Sequence, residues 1–553
     1  WAQTRHAGVS APPRNLRASV SNLDGLEVVL KWEPPEDCGG VPIASYEILR
    51  NGSACGTFVV DIDCLSDEAH DSCLVDTEEV RWVPSTRSYS SLSWFTDALE
   101  WRDREVKLGS TVSYQIVPLQ LGKERAVKLR EEFEIGGRCP SRYLDEACEI
   151  RGPACEPVEV HVVPFLPAPK IGQRCHRVMY QAFDWNSCKV PGWWGVLTGM
   201  LPELSSAGVN MVWLPPCSDA VDEHGYLPRK WYKLDSRYGT ASELQCLLFA
   251  MHEQEIVPML DVVVNHRCAS EQDSAGRWLE FREPSWGGWA VCHDSPAVGG
   301  GTGNGVTGEP AQYAPSIDHR NPKVAENIHA YLDHMVNELG FRGLRFDFVK
   351  GYSVSSQLDY LRGAGSPFAV AENWNGDAKS LHDYVRQCHG QMAVYDFPLY
   401  YVLKRSIQSN NFSSLVDSGR CAGILGLDAE RAVTFVENHD TSQLAIVGGR
   451  FGNDDQVLRG YAFILTHPGV PCIYHGDYTR GSHVAHELLQ LCSIRRDAGI
   501  NSSSALQICE ARWGLYAAIV DGKLAVKLGT DDWSPSGRWR IASFGREFAV
   551  WVR

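Results

Sequence analysis

The stretch 343–352 reads GLRFDFVKGY. Leu344, Phe346 and Phe348 alternate with Arg345 and Asp347, the period of a β-strand. Arg345 and Asp347 are two residues apart, so they share one face. On an edge strand that face would meet water; in a strand buried on both sides it would line a site. The neighbouring sequence decides between these. Seven more short apolar runs flank this one: VMYQAFDW (178–185), NMVWLPP (210–216), VPMLDVVVNH (257–266), FAVAENW (368–374), MAVYDF (392–397), AVTFVENHD (432–440) and PCIYHG (471–476). Amphipathic stretches lie between them, among them ASELQCLLFAMHEQEI (241–256) and KVAENIHAYLDHMVNELG (323–340). Eight β-then-α units predict a (β/α)8 barrel with right-handed crossovers. GLRFDFV is then the fourth strand. Its Leu and Phe side chains are expected to face the helix layer, with Arg345 and Asp347 facing the barrel mouth.

Working outward, the barrel is expected over 171–495. The irregular stretch 267–321 is too long for a plain loop and reads as an inserted domain B. After 496 the pattern returns to short strands with a DG hairpin signal at Asp521–Gly522, predicting a C-terminal antiparallel domain over 496–553. Before the barrel, LEVVLKWEPP (26–35), ASYEILRNG (44–52) and STVSYQIVPLQLGK (110–123) alternate as strands of a β-sandwich over 1–134. With the opening APPRNLRASV, this part resembles a fibronectin type III domain. Residues 135–170, rich in Gly, Pro and Cys, read as a cross-linked linker.

The 553-residue chain has a formal net charge of -16, which disfavours nucleic acid as a partner and suits a neutral substrate. No apolar run is long enough to span a membrane. The chain starts at Trp1 with neither an initiator Met nor a signal peptide, which reads as a trimmed end. Of 18 cysteines, nine precede residue 190: Cys38, Cys55, Cys64, Cys73, Cys139, Cys148, Cys155, Cys175 and Cys188. That clustering predicts disulfides in the N-terminal part and favours a secreted or luminal protein. A plastid or cytosolic setting is also compatible. Cys217 and Cys472, inside apolar runs, are expected as buried free thiols.

Barrel enzymes carry their chemistry at the C-terminal ends of strands. Those ends hold Asn265 and His266, Arg345 and Asp347, Glu372, and His439 and Asp440. Any one of these alone reads as a cap or a solvated loop residue; it is their joint placement that points to a site. Paired carboxylates without a metal-rich cluster suit acetal chemistry, which needs one ionised and one protonated carboxyl group. Arg345 is expected to lower the pKa of Asp347 and fit it as a nucleophile. Glu372 follows the apolar run FAVA, where desolvation should raise its pKa and suit it as a general acid.

At these residues the sequence becomes specific. DVVVNH, GLRFDFVKG, AVAENW and FVENHD, in that order, resemble the four motifs of the α-amylase family of glycoside hydrolases, closest to its plant and green-algal members. The resemblance spans about 175–553 and takes in domain A, domain B and domain C. It implies a retaining, endo-acting α-1,4-glucan hydrolase acting on starch or related glucans. By motif position, Asp347 is the nucleophile, Glu372 the acid/base and Asp440 the residue that binds the distorted sugar. Arg345 orients Asp347. His266 and His439 hydrogen-bond the sugar, Tyr226 stacks on it, and Lys350 and Trp374 touch the leaving-group side. The two reacting carboxyls are then expected about 5–5.5 Å apart. No cofactor is required by this mechanism.

The departures are concentrated in domain B. The plant relatives hold calcium with the counterpart of Asn265 and several aspartates, in a segment close to NxDTGADFAAAPDIDH. Here it reads NGVTGEPAQYAPSIDH (304–319), with Val306, Pro310 and Ser316 where aspartates are expected; Ser295 replaces another. Calcium needs six to eight oxygens, and Asn265 alone cannot supply them. Asp294, Glu309 and Asp318 are the residues left that could build a different site. The expectation is a domain B that folds without calcium. A Trp-Trp pair used by plant relatives as a secondary starch site is replaced by Leu427 and Asp428. The N-terminal sandwich shows no aromatic stripe and reads as a spacer or a module for a protein partner. Two alternatives stay open: a transglycosylase or debranching activity of the same family, and a non-catalytic glucan-binding protein. The intact Asp347, Glu372 and Asp440 speak against the second.

Overall fold

The computed structural model describes residues 10–21, 27–35, 43–59, 99–106, 110–121, 148–161, 165–174, 176–443 and 449–553. The chain divides into two compact units, 1–165 and 166–553.

The first unit is built from β1 (Arg14–Ser21), β2 (Glu27–Glu33), β3 (Ile43–Arg50), β4 (Ser53–Val59), β5 (Leu99–Asp103), β6 (Thr111–Leu121), β7 (Cys148–Arg151) and β8 (Val158–His161). They form two antiparallel sheets. One runs β1-β2-β5 and the other β4-β3-β6-β7, with β8 also paired to β6. The alternation in β2 and β3 turns Trp32 and Tyr46 inward, where their rings meet edge-on at 5.6 Å between the sheets. Asp103 ties the sheets a second time, accepting from Arg50 and, at 2.7 Å, from the Tyr114 hydroxyl.

Two expectations need correction here. The stretch expected as a linker supplies β7 and β8, because both find unpaired backbone on the long strand β6. Among the described residues the expected disulfides are not seen either. Cys55, Cys155 and Cys188 are free thiols, and Cys155 sits beside β6 with its Sγ accepting from the Ile116 N–H at 3.2 Å. Cys38, Cys64, Cys73, Cys139, Cys175 and the side chain of Cys148 lie outside the described residues. Cys217 and Cys472 are buried free thiols, as their apolar settings predict.

The second unit begins its barrel with β9 (Met179–Gln181) and β10 (Met211–Trp213). After a short hairpin of β11 (Asp219–Ala220) and β12 (Pro228–Lys230), it continues through β13 (Val257–Val262), β14 (Gly343–Phe346), β15 (Phe368–Ala371) and β16 (Ala393–Tyr395). A second hairpin, β17 (Val416–Asp417) with β18 (Arg420–Cys421), precedes the last barrel strands, β19 (Ala432–Phe435) and β20 (Val470–Tyr474). The eight strands are parallel and β20 pairs back to β9, closing the barrel. The strands are almost wholly buried on both faces, which explains their near-continuous apolar runs. Helices between them carry the expected capping chemistry. The helix Ala241–Glu253 starts with a capping box in which the Thr240 hydroxyl accepts from the Glu243 N–H and the Glu243 carboxylate answers the Thr240 N–H. Pro322–Asp333 runs on into a π-helical turn, His334–Glu338. Beyond the helix Ser482–Asp497, the strands β21 (Leu506–Arg512), β22 (Leu515–Val520), β23 (Leu524–Leu528), β24 (Arg540–Gly545) and β25 (Phe548–Val552) form the C-terminal antiparallel sheet. Among the described residues no helix is long and apolar enough to cross a membrane.

The opening stretch behaves as a buried strand, with one change. Strand β14 ends at Phe346, and Phe348 does not continue its apolar face. It turns into the left-handed region with φ 42° and is only half-buried. A bulky residue there costs about 1–2 kcal/mol, so the surroundings must hold it.

Domain B leaves the barrel after β13. Its root is fixed by Arg267, which is fully buried. The guanidinium donates to the carbonyls of Arg229 and Pro284 and sits over the rings of Trp231, Phe281 and Trp286 at 4.7–5.4 Å.

Candidate active site

Parallel register brings the charged ends of β13, β14 and β15 together. Asp261 on β13 lies opposite Arg345 on β14, and Phe346 opposite Ala371 on β15, just before Glu372. Arg345 is almost wholly enclosed, with 1% of its side chain exposed. It is answered by three carboxylates. Nη1 lies 2.8 Å from Asp261 Oδ1 and 2.6 Å from Asp347 Oδ1, while Nη2 lies 3.0 Å from Glu372 Oε1. The planar fork lets one cation serve three carboxyl groups, which an ammonium on a flexible stem could not do with fixed geometry. The second oxygen of Glu372 accepts from the Phe348 N–H at 2.9 Å. The left-handed turn at Phe348 thus aims a backbone donor at Glu372.

Burial dominates the protonation of this cluster. Desolvation pushes Glu372 up to about 8, with Arg345 opposing it and the charges of Asp347 and Asp440 adding to it. Asp347 is pushed up to about 6, again chiefly by desolvation, against the pull of Arg345. The expected lowering of Asp347 is therefore corrected: the guanidinium acts in the expected direction, but burial outweighs it. The order of the two groups is as expected, with Glu372 holding its proton more tightly.

The imidazoles and aromatic rings form the wall. His439 Nδ1 lies 2.9 Å from Gln181 Nε2, and His439 Nε2 lies 3.5 Å from Asp440 Oδ2. Desolvation lowers its pKa to about 4, which keeps the ring neutral. Asp440 follows β19 in a turn where Asn438 Oδ1 accepts from the N–H groups of Asp440 and Thr441. Tyr226 stacks on His439 with centroids 5.3 Å apart, and its hydroxyl donates to Asp261 Oδ2 at 2.9 Å. His266 is buried, and its Nε2 lies 2.7 Å from the Tyr226 carbonyl, so this ring holds the loop that carries Tyr226. Trp374 stacks on Phe397 at 4.8 Å and donates to the Tyr401 hydroxyl. Lys350 lies in the turn after Asp347, with its Nζ 3.7 Å from Glu309 Oε1. The sequence-predicted residues Asp347, Glu372, Asp440, Arg345, His439 and Tyr226 are brought into one interacting group.

The candidate calcium donors are arranged differently. Asn265 is buried with its side-chain amide 3.4 Å from His266 Nδ1, and Gly351 packs so close to it that a Cβ would lie 2.0 Å from Asn265 Oδ1. Asp318 Oδ2 accepts from the Asn304 backbone and side-chain N–H groups, and Asp318 Oδ1 accepts from the Arg320 N–H. Asp294 accepts from the Val306 N–H at 2.8 Å. Ser295 and Ser316, at two of the positions expected to be aspartate, meet directly: the Ser316 N–H donates to Ser295 Oγ at 2.9 Å. Glu309 is drawn to Lys350 and its N–H donates to the Lys350 carbonyl at 2.8 Å. Among the described residues no three His, Cys, Asp or Glu side chains converge as a metal cage would.

Sequence reasoning missed Asp261, which anchors Arg345 from the far side. Its signal was a carboxylate alone inside the apolar run VPMLDVVV. Gln181 and Trp213 were missed as well. Trp213 donates to Asp261 at 3.0 Å, and neither residue type stands out in a short strand.

A closed parallel barrel, an inserted domain after its third strand and two carboxyl groups sharing one buried arginine at the strand ends define a barrel enzyme of the glycoside hydrolase class. Comparison with known sequences makes this specific. The α-amylase catalytic domain profile matches residues 182–305, and the α-amylase C-terminal β-sheet domain profile matches residues 497–552. Probable α-amylase 2 of Arabidopsis thaliana is 34% identical over 392 residues, which cover 68% of this chain and 93% of that protein. The chloroplastic α-amylase 3 of the same plant is 33% identical over 393 residues, covering 68% of this chain and 44% of that one. The chain belongs to the α-amylase family of glycoside hydrolases. The fold agrees with a solved α-amylase from Malbranchea cinnamomea at a TM-score of 0.51 and 20% identity, covering 64% of this chain and 84% of that one.

Proposed function

We propose that the protein is a retaining, endo-acting α-1,4-glucan hydrolase. The observation that carries this reading is the single guanidinium of Arg345 reaching both Asp347 and Glu372, whose environments leave one ionised and the other protonated near neutral pH. A shared arginine suits the short carboxyl spacing of about 5–5.5 Å used in retention better than the wider gap that holds a water in inversion. Glu372 donates its proton to the glycosidic oxygen as the bond to the anomeric carbon breaks. Asp347 attacks that carbon and forms a glycosyl ester. The departing chain leaves as an alcohol, and Glu372, now a carboxylate, takes a proton from water. The resulting hydroxide equivalent attacks the same carbon and frees Asp347. Asp440, partly open to the mouth, faces the positive charge that develops on the sugar. Soluble starch digested with the enzyme and followed by NMR is the test. Internal cleavage with products first appearing as the α-anomer is expected; β-anomers first, or release of single short sugars from chain ends, would overturn the reading.

We further propose that domain B is held to the barrel without calcium. The support is the donor set: Asp318 and Asp294 are answered by N–H groups, the Ser295–Ser316 bond stands in for two carboxylates, and Thr307 to Glu309 pack on the catalytic turn. There the Ser353 N–H donates to Thr307 Oγ1 at 3.1 Å. At Gly308 a Cβ would lie 2.1 Å from the Lys350 carbonyl, so the two backbones are in direct contact. The N-terminal sandwich is proposed as a fibronectin type III-like module for a protein partner. Its described residues expose no large hydrophobic side chain that would offer a sugar a platform.

A further inference from the structure

We propose that Tyr313, on the domain B segment above the carboxylates, is a sugar platform that offers an α-glucan ring both a flat face and a free hydroxyl beside the point of cleavage. The inference rests on the glucan-hydrolase reading and names a residue that reading does not use.

The aromatic residues around the site are otherwise engaged. Trp213 is buried and bonded to Asp261, Tyr226 is stacked on His439 and bonded to Asp261, and Trp374 is stacked on Phe397. Tyr313 differs: 58% of it is exposed. One edge of the contact is fixed, because its ring stands perpendicular to that of His266 with centroids 5.0 Å apart. The His266 ring itself cannot swing, since it is buried and held by the Tyr226 carbonyl. The Tyr313 hydroxyl has no hydrogen-bond partner among the described residues, and it is close enough to feel the charges of Asp347, Glu372 and Asp440. Packing around the ring and those charges hold it protonated, as a donor. An exposed aromatic face with a spare donor, placed over reacting carboxylates, matches what a sugar ring presents: an apolar C–H face and a rim of hydroxyls.

The backbone that carries Tyr313 is pinned on both sides. The Ala311 N–H donates to Ser316 Oγ at 3.1 Å, and the Arg267 N–H donates to the Pro315 carbonyl at 3.1 Å. Ser316 is in turn bonded to Ser295. The platform is therefore set before substrate arrives, which spares the ordering cost that a mobile loop would carry.

The test compares Tyr313→Ala and Tyr313→Phe with wild type on soluble starch and on a long maltooligosaccharide. For Tyr313→Ala the expected result is a rise in KM of roughly tenfold with kcat within about threefold of wild type, the split that lost ground-state contact produces. Tyr313→Phe should fall between the two, as it keeps the face and loses the hydroxyl. Titration calorimetry of the oligosaccharide against Asp347→Asn and Asp347→Asn/Tyr313→Ala measures the same loss without turnover. An unchanged KM and unchanged affinity in the alanine variants would overturn the platform, as would a fall in kcat with KM untouched. Wild type failing to cleave any α-glucan would overturn the hydrolase reading instead, and the calorimetry would still decide the role of Tyr313.

Discussion

The floor of the site and the domain B segment over it are held together by opposite means. On the floor, charge faces charge: Arg345 is enclosed and answered by Asp261, Asp347 and Glu372. In the segment above, Asp318 and Asp294 meet N–H groups, and serine meets backbone where aspartates were expected. The floor concentrates electrostatic energy in a small buried volume, so its proton affinities are set by what each group loses in solvation. The segment spreads its stabilisation over many separate hydrogen bonds with no buried ion pair among them, each worth about 1 kcal/mol or somewhat more where a carboxylate accepts. The first arrangement sets proton affinities; the second fixes backbone position.

That contrast can be broken most sharply on the floor. Asp347→Asn removes the group proposed to form the covalent bond, and kcat on soluble starch should fall by roughly 10⁴-fold or more while glucan binding persists. Arg345→Met leaves three buried carboxyls without their cation. Urea unfolding should show a loss of about 3–5 kcal/mol, the cost of breaking a buried ion cluster from one side. The wild-type pH profile sharpens the same point. In the proposed mechanism activity needs Asp347 ionised, so it should rise as pH climbs through about 6. It also needs Glu372 protonated, so it should fall as pH passes about 8. The two limbs belong to the coupled pair, and a kcat/KM profile checks them. The segment above should respond more gently. Ser295→Ala orphans the buried Ser316 N–H and should cost about 1–3 kcal/mol by the same urea assay. Exhaustive chelation should matter least, moving the melting temperature by less than about 1 °C. A large fall restored only by calcium would show that a cation stabilises the folded state after all.

The barrel was legible because its strands are short, apolar and regularly spaced, and because closure leaves few ways to arrange eight of them. The charged residues at the strand ends were legible for the same reason: a carboxylate or imidazole directly after an apolar run has little else to do. Asp261 was harder, since its partner lies in another strand and only the parallel register brings the two together. The sign of the Asp347 shift needed the depth of burial, which no local pattern reports. The strands β7 and β8 escaped because four-residue runs among Gly, Pro and Cys look like linker until β6 is seen to need partners. The disulfide expectation rested on the number and clustering of the cysteines, and neither says which thiols meet. Tyr313 was passed over because a tyrosine between Gln312 and Ala314 has no periodicity to mark it.

The turn at Phe348 has a consequence for how such a site can change over time. Phe348, the residue next to Asp347, donates its own N–H to Glu372, so one backbone link ties together the two groups proposed to react. A substitution that shifts one by a fraction of an ångström drags the other along. Adjustments that trade hydrolysis for another outcome are therefore steered away from the floor and towards the roof, where an exposed side chain such as Tyr313 can vary without moving the backbone that carries the two carboxyl groups.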